Sequence, residues 1–385
     1  MSRGEYGIDT FGQLIADPVR TGAYTEALRR AVKPGSVVVD VGTGTGILAL
    51  LACRFGARRV HAIEPDPIIA TAREVAAANG YADRIVFHEA VSTEVDPGER
   101  ADVIVSDLYG VLPFHRARIA ALADARARFL APGGWMIPRC DHVGLAAASA
   151  SRLQRVVSTP WVEGSLGFDM TAARDIASNQ WRRAVLQPEE LATAPVRIAT
   201  LDYASDPEAS LRARIESRFD RAAEVHGLCA WFDAEFADGI GFSNAPGEPA
   251  TIYGSAFFPW PEPVAVSPGD GLQADLGARL VSGQYVWSWT SQVRRAGASE
   301  AHVRFDQSTF FGMPLARSAL DRINAAHAPG LGVAGSVDRV ALDAMASGAT
   351  LEAIARRLRS EFPARFAREE DALAHAGELS VRYGR

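Results

Sequence analysis

The chain of 385 residues is poor in the features that mark several large classes of protein. Its three cysteines, Cys53, Cys140 and Cys229, lie far apart and form no CxxC pair, which argues against a disulfide framework and against a zinc site. No apolar run approaches the length that spans a membrane. The formal net charge of -6 leaves no basic footprint for nucleic acid, and Lys33 is the only lysine.

What is present is a composition typical of a soluble globular protein, with 48% hydrophobic and 22% charged residues. A chain of this length has room for two or three domains. The first residues, Met1 to Glu5, do not open a signal peptide, so we expect a cytoplasmic protein.

The most informative stretch is VVVDVGTGTG, from Val37 to Gly46. Its β-branched residues predict a buried parallel strand, and Gly42, Gly44 and Gly46 predict a tight turn that leads into a helix. The G-x-G-x-G spacing differs from the G-x-G-x-x-G of dinucleotide sites, and Asp40 stands just before the first glycine.

The acids around this turn indicate the ligand. Asp40 suits a cationic amine, and Glu64, at the end of the next predicted strand, suits the hydroxyls of a ribose. An ammonium and a ribose on one ligand predict S-adenosylmethionine (SAM). The alternative interpretation is an ordinary strand, turn and helix with two solvated carboxylates.

The pattern of the chain predicts an α/β protein with three domains. Strand and helix patches alternate up to Pro138, which predicts a doubly wound, Rossmann-like parallel sheet with strands at 37–41, 60–64, 85–88, 103–106 and 135–137. Short alternating segments then predict an antiparallel β-barrel or sandwich, with a loop or edge at 257–263. Helical patterns close the chain. The predicted domains are residues 1–139, 140–307 and 308–385.

Several of these motifs together resemble the protein arginine methyltransferases, over roughly residues 6–292. The segment LIADPVRT, followed by Tyr24, resembles the family's N-terminal segment, which closes over SAM. The resemblance implies that Arg20 pairs with the SAM carboxylate and that Val91 and Ser92 lie at the adenine. It also implies a homodimer, because residues 151–162 occupy the place of the family's dimerisation arm.

The catalytic hairpin departs from the family. The family carries two glutamates there, whereas this chain reads SDLYGVLPFHR, with Asp107 at the first acidic position and Arg116 at the second. The family's Thr-His-Trp loop is replaced by Thr251, Ile252 and Tyr253. Ordinary methylation of protein arginine is therefore in question, while the SAM site is not.

Four hairpin residues are candidates for catalysis. Asp107 is predicted to orient the acceptor or take its proton, or else to cap a helix. Tyr109 stacks on the substrate or packs in the core, and His115 transfers a proton or lies on the surface. Arg116 binds a carboxylate or phosphate of the substrate, or is the solvated start of a helix.

The last helices resemble the small PqqD-like domain, which presents peptides in peptide-modifying pathways. The segment that carries the resemblance, AMASGATLEAIA from Ala344 to Ala355, is short, and a helical cap on the catalytic domain is an equal alternative. A helix-turn-helix is a third possibility, although interspersed acidic residues argue against contact with DNA.

We therefore expect a SAM-dependent methyltransferase that modifies a nitrogen of a peptide, an amino acid or a related small metabolite, with a guanidine among the possible acceptors. The alternatives are an O-methyltransferase of a natural product and a non-catalytic SAM-binding regulatory protein. We expect no nucleic-acid, membrane or metal partner.

Overall fold

The structure is a computed structural model that describes residues 7–163, 165–314 and 316–384. It divides into two compact units, Met1–Pro314 and Leu315–Arg385. The prediction about a signal peptide at Met1 to Glu5 lies outside the described residues. No helix among those described combines the length and apolar character that a membrane crossing requires.

Two helices open the first unit, α1 (Ile8–Ala16) and α2 (Pro18–Ala31). The carboxylate of Asp17 caps α2 by accepting hydrogen bonds from the backbone N–H groups of Val19 and Arg20, both at 3.0 Å. Pro18 follows at the first helical position, where a missing N–H costs nothing. This cap fixes the start of the helix that carries Arg20.

A five-stranded parallel sheet follows, in the order β3-β2-β1-β4-β5. Alternate residues of β1 pack in different apolar clusters: Val37 and Val39 pack on the side of α5, and Val38 packs on the side of α2 and α3. Both faces are thus covered, which confirms the doubly wound prediction. The elements are β1 (Val37–Val41), α3 (Ile47–Arg54), β2 (Arg59–Ile63), α4 (Ile69–Ala78), β3 (Ile85–His88), β4 (Ala101–Ser106), α5 (Arg118–Phe129) and β5 (Leu130–Ile137).

One local prediction in this sheet is wrong. The composition of Pro132, Gly133 and Gly134 predicts a turn before the last strand, but β5 already begins at Leu130 and runs through them. The pairing of β5 with β4 shifts register between Ala101 and Val103, and Gly133 has a φ of 76°. The glycine and proline therefore produce an irregular strand.

The rest of the first unit consists of two antiparallel sheets, one in the order β7-β12-β10-β6-β8 with β11 paired to β10, and one in the order β15-β14-β13-β9. Their strands are β6 (Cys140–Ala148), β7 (Arg182–Ala184), β8 (Val196–Asp202), β9 (Leu211–Arg218), β10 (Ala223–Ala237), β11 (Ile240–Ser243), β12 (Ser255–Val266), β13 (Gly271–Val281), β14 (Gln284–Arg294) and β15 (Val303–Ser308).

The two sheets enclose one core. Leu228 and Phe258 of the larger sheet share an apolar cluster with Leu276 and Trp289 of the smaller one. The sheets approach each other where β8 runs beside β9 and β12 beside β15. This arrangement is the predicted barrel-like antiparallel domain, and it shares the first compact unit with the parallel sheet.

The proline-rich stretch 257–263 lies in β12 as a partial edge. β7 pairs with β12 only from Ser255 to Phe257, and β10 pairs with Pro259 and then resumes at Val264, so Pro261 and Pro263 fall in the gap of the ladder. The register with β10 shifts between Val225 and Gly227, opposite this stretch. A proline can occupy such a position because no ladder hydrogen bond is required of it.

Two helices interrupt the antiparallel region, α6 (Ser151–Val162) and α7 (Thr171–Ser178). α6 has the bounds of the predicted dimerisation arm. The periodicity of the surrounding segments predicted strands only, so α7 was not anticipated.

The second unit contains α8 (Arg317–Ile323), α9 (Val333–Ala346), α10 (Leu351–Glu361) and α11 (Glu369–Tyr383). The last three share a small core that includes Val337, Ile354 and Leu379. Thr350 caps α10, its hydroxyl accepting a hydrogen bond from the N–H of Ala353 at 3.3 Å. The helical character predicted for the end of the chain is confirmed, while the resemblance to a PqqD-like domain and the predicted domain boundaries stay predictions.

Candidate active site

The site lies at the carboxyl edge of the parallel sheet, where β1, β2 and β4 end side by side. Gly42, Gly44 and Gly46 follow β1 with φ values of 78°, 54° and 87°. A Cβ atom on Gly42 would collide with the side chain of Leu108, and one on Gly44 would collide with that of Phe11. The hairpin after β4 and helix α1 therefore cover this turn, and glycine is required by both space and backbone conformation.

Asp40 lies under the turn and is fully buried. Its Oδ2 accepts a hydrogen bond from the hydroxyl of Thr43 at 2.6 Å, whereas its Oδ1 has no hydrogen-bond partner among the described residues. Burial raises the pKa of Asp40 to about 7, although the hydrogen bonds from the Thr43 hydroxyl and the backbone N–H of Ala49 act in the opposite direction. A buried carboxylate oxygen without a donor fits the predicted role of receiving an ammonium group.

Glu64 follows β2 and accepts a hydrogen bond from the backbone of the same turn. Its Oε2 accepts from the N–H of Gly44 at 3.0 Å and its Oε1 accepts from the N–H of Asp66 at 3.1 Å. Burial raises the pKa of Glu64, against the effect of these two backbone bonds. Each oxygen has a second lone pair, so the carboxylate can still receive the two hydroxyls of a ribose.

A buried ion pair joins α2 to the hairpin. Arg20 Nε donates to Asp107 Oδ2 at 2.6 Å, and its Nη2 also contacts that oxygen. The hydroxyl of Tyr253 donates to Asp107 Oδ1 at 2.6 Å. Burial alone would lower the pKa of Arg20, but the charge of Asp107 raises it above the ordinary value, so the arginine stays charged.

The turn formed by Thr251, Ile252 and Tyr253 is held in place by several contacts besides the bond from Tyr253 to Asp107. The N–H of Ile252 donates to Asp17 Oδ2 at 2.7 Å, and the ring of Tyr253 stacks on Phe242 at a centroid distance of 5.5 Å. Asn244, nearby in the chain, donates to the carbonyl of Val111 in the hairpin at 3.0 Å. The barrel-like domain thus shapes both the start of α2 and the hairpin.

Tyr109 lies in the core, on the far side of the hairpin from solvent. Its ring stacks on Phe232 at 4.7 Å, and its hydroxyl donates to Asp141 Oδ1 at 2.6 Å. This placement favours packing over the alternative of stacking on a substrate.

Asp141 also binds two further side chains. Arg118 Nη1 lies 3.1 Å from Asp141 Oδ2, and the hydroxyl of Tyr203 donates to that oxygen at 2.6 Å. The guanidinium carbon of Arg118 is 3.9 Å from the centre of the Tyr109 ring. The result is a buried polar cluster of four side chains between the parallel sheet and the barrel.

The other two hairpin candidates lie nearer the surface. His115 is half-buried and packs over Gly110, where a Cβ would lie 2.7 Å from its Nδ1. Arg116 is exposed and has a φ of 45°, in the left-handed region. Arg116 therefore belongs to a turn before α5, which begins two residues later than predicted.

Val91 and Ser92 follow β3 at the same edge of the sheet as Glu64, whose N–H donates to the carbonyl of His88 at 3.0 Å. The carbonyl of Ser92 accepts from Arg128 at 2.6 Å. Their predicted role at an adenine stays a prediction.

Reasoning from the sequence missed several residues of the site. Asp17 was identified only as part of a helix start, and Phe11, Leu108 and Asn244 were not singled out. Arg118 and Asp141 belong to no recognisable motif. Arg118 lies near the candidate Arg116 and Asp141 lies near a strand end, and neither has a distinctive spacing.

Comparison with known proteins adds a second source of information. Residues 21–139 match the family model of ribosomal protein L11 methyltransferase (PrmA), and residues 154–279 match that of the arginine methyltransferase oligomerization subdomain.

Curated relatives are similar over more than half of the chain. Probable protein arginine N-methyltransferase 6 of Arabidopsis thaliana is 32% identical over 58% of this chain and 54% of that protein. Protein arginine N-methyltransferase 1 of Dictyostelium discoideum is 28% identical over 64% of this chain and 76% of that protein. Arginine N(omega)-methyltransferase of Streptomyces achromogenes subsp. streptozoticus is 28% identical over 69% of this chain and 74% of that protein. The chain thus spans about half the length of the Arabidopsis relative.

Solved structures share the fold. Protein arginine methyltransferase 10 of Arabidopsis thaliana, in a uniquely open conformation, has a TM-score of 0.70 and 21% identity over 79% of this chain and 98% of that one. A chain of the Trypanosoma brucei PRMT1 enzyme-prozyme heterotetrameric complex with AdoHcy has a TM-score of 0.70 and 22% identity with the same coverage.

The raised pKa of Asp40 predicts a trade-off between stability and binding. The folded state holds a proton on Asp40 up to about pH 7, against an ordinary value of 3.8, so the free energy of unfolding falls as pH rises through this range. We expect Asp40→Asn to be more stable than the parent at pH 8 by roughly 2–4 kcal/mol, with a smaller gain at pH 5. Thermal or denaturant unfolding at both pH values measures this.

The same variant should bind SAM at least about 10-fold more weakly in calorimetry, since the ammonium loses its charged partner. Glu74→Gln, at an exposed position of α4, is the matched control and should change neither property. A stability gain that is equal at pH 5 and pH 8 would contradict the raised pKa.

Proposed function

We propose that this chain, which is similar to protein arginine methyltransferases, is a SAM-dependent methyltransferase whose acceptor is a guanidino nitrogen of arginine. The observation that carries the proposal is the charge balance at the carboxyl edge of the sheet. Asp40, Glu64 and Asp107 lie there with Arg20 as the opposing cation. SAM adds a sulfonium, an ammonium and a carboxylate; with Asp40 ionised beside the ammonium, one carboxylate is left to balance a cationic acceptor.

The residues present fit SAM. Asp40 offers an oxygen without a hydrogen-bond partner among the described residues, and Glu64 keeps lone pairs for a ribose. The guanidinium of Arg20 is planar and suits a carboxylate, but Asp107, Leu14 and Thr21 bind it here, so it would exchange one of these partners for the SAM carboxylate. When bound, SAM supplies an electrophilic methyl group. Phe11 and Leu108, which cover the turn, would exclude water from the ligand.

Asp107 is the group best placed to meet the acceptor. Oδ2 is held by two nitrogens of Arg20 and Oδ1 by Tyr253, which fixes the plane of the carboxylate and leaves a lone pair on Oδ1. An N–H of a guanidinium can donate a charge-assisted hydrogen bond to that oxygen. Asp107 would orient the acceptor nitrogen and take the proton that the nitrogen loses.

The test of this role is Asp107→Asn with arginine and an arginine peptide as acceptors. We expect turnover to fall at least about 100-fold, because the amide neither balances the guanidinium nor takes its proton. SAM affinity should fall far less. Mass spectrometry follows the added methyl group and calorimetry follows SAM. The matched control is Tyr253→Phe, which removes one hydrogen bond and keeps the charge, and should cost turnover about 10-fold or less.

An equal loss of turnover and SAM affinity in Asp107→Asn would place this residue in the cofactor site instead. Absence of a methylated product from arginine or any arginine peptide, with SAM still bound, would overturn the acceptor assignment.

The exposed Arg116 supports an acceptor that carries a carboxylate. It replaces an acid of the family's hairpin and cannot help to bind a guanidinium, but its planar fork suits the α-carboxylate of free or C-terminal arginine. The Streptomyces relative, which is named for arginine and not for protein arginine, gives independent support for the same substrate class.

For Arg116→Gln we expect the KM for free arginine to rise about 10-fold with little change in kcat, because a charge-assisted contact to the ground state is lost. The KM for argininamide, which lacks the carboxylate, should stay unchanged. Arg279→Gln, at an exposed position of β13, is the control. The same rise for both acceptors would disprove the assigned contact.

We further propose that the protein is a homodimer joined through α6 and the segment that follows it. This region exposes large apolar side chains, among them Val156 at 63% and Phe168 at 72%. The matched oligomerization subdomain begins at residue 154, within α6.

Val156→Asp and Phe168→Asp should each shift the mass in solution from twice 41.2 kDa towards 41.2 kDa, because a charge in an apolar interface is costly. Light scattering coupled to size exclusion measures this. Val281→Asp, at an exposed apolar position of β13, should leave the mass unchanged. A parent protein that is monomeric at micromolar concentration would contradict the proposal.

A further inference from the structure

The buried cluster around Arg118 serves no step of the proposed reaction, yet it joins the hairpin to the barrel at both ends. Tyr109 lies two residues after Asp107, and Arg118 lies two residues after Arg116. Asp141 belongs to β6, and Tyr203 directly follows β8. All four side chains are at least nine-tenths buried.

The polar contacts of the cluster centre on Asp141. Its Oδ1 receives the hydroxyl of Tyr109, and its Oδ2 receives that of Tyr203 and faces Arg118 Nη1. Nη1 of Arg118 also donates to the Tyr203 oxygen. One carboxylate of the barrel thus contacts residues from both ends of the hairpin.

A gain in stability alone does not explain why Arg118 and Asp141 are buried together. Both charges are removed from water, and Arg118 Nε and Nη2 have no hydrogen-bond partner among the described residues. Apolar side chains of similar volume are often as stable as such a pair. A charged pair adds a defined relative geometry, because a guanidinium and a carboxylate bind each other in few orientations.

We propose that Arg118 and Asp141 act as a positioning pair that holds the hairpin in register with the barrel and so keeps Asp107 over the glycine turn. The consequence for turnover rests on the proposed function; the consequence for the hairpin backbone does not. Neither residue contacts the acceptor. Their effect reaches the reaction through Tyr109 and the short segment that joins it to Asp107.

The experiment compares the parent with the double variant Arg118→Met/Asp141→Asn, which removes both charges, nearly keeps the volume and leaves an oxygen that can accept from a tyrosine hydroxyl. Each single variant leaves a buried charge unpaired and is expected to unfold at lower temperature than the parent. The double variant should recover most of that loss. Hydrogen exchange of the backbone amides in residues 107–116 should nevertheless be at least about 10-fold faster than in the parent.

The same double variant should lose at least about 10-fold in kcat while its SAM affinity changes less than about 3-fold. Arg118→Lys keeps the positive charge but lacks the planar guanidinium, so its hairpin amides should also exchange faster than those of the parent. Arg126→Met is the matched control, because Arg126 also joins α5 to the barrel side, at Asp206, but in a partly exposed pair. It should leave hairpin exchange unchanged.

A folded double variant whose hairpin amides exchange at the parent's rate would overturn the proposal. If the parent methylates no arginine but the double variant still shows faster exchange confined to the hairpin, the proposed acceptor fails and the positioning pair stands. The two hypotheses are therefore tested separately.

Discussion

The site depends on the buried ion pair between Arg20 and Asp107. Arg20 comes from α2 and Asp107 from the end of β4, so the pair ties the first helices to the carboxyl edge of the sheet. Taking both charges out of water is costly, and the pair persists because its remaining hydrogen-bonding capacity is used: Tyr253 donates to the carboxylate, and Leu14 receives the guanidinium through its carbonyl. The pair thereby joins the residue proposed to bind the cofactor carboxylate to the residue proposed to orient the acceptor.

The barrel-like domain is as much a part of the site as the sheet is. Ile252 donates to the aspartate that caps α2, Tyr253 donates to Asp107, and Asn244 binds the hairpin backbone. The segment of Ile252 and Tyr253 thus connects the start of α2, the hairpin and the barrel through a backbone N–H and a phenol.

Much of the fold could be predicted from the sequence. β1 and β3 have the predicted bounds, because runs of β-branched apolar residues between turn residues leave few alternatives. Asp40 and Glu64 could be placed at one sheet edge because parallel strands end together. The stretch from Pro132 to Gly134 was misjudged, since a glycine and a proline are compatible with both a turn and an irregular strand.

The sequence by itself determined the local elements, the glycine turn and the acids beside it, because these follow from periodicity and backbone conformation within a few residues. Only the tertiary structure decided that Asp107 pairs with Arg20, 87 positions away, and that Arg118 meets Asp141 across a domain boundary. Such pairs depend on how the hairpin and the barrel pack. No spacing along the chain encodes which charged side chains become buried together, because burial is a property of the assembled fold.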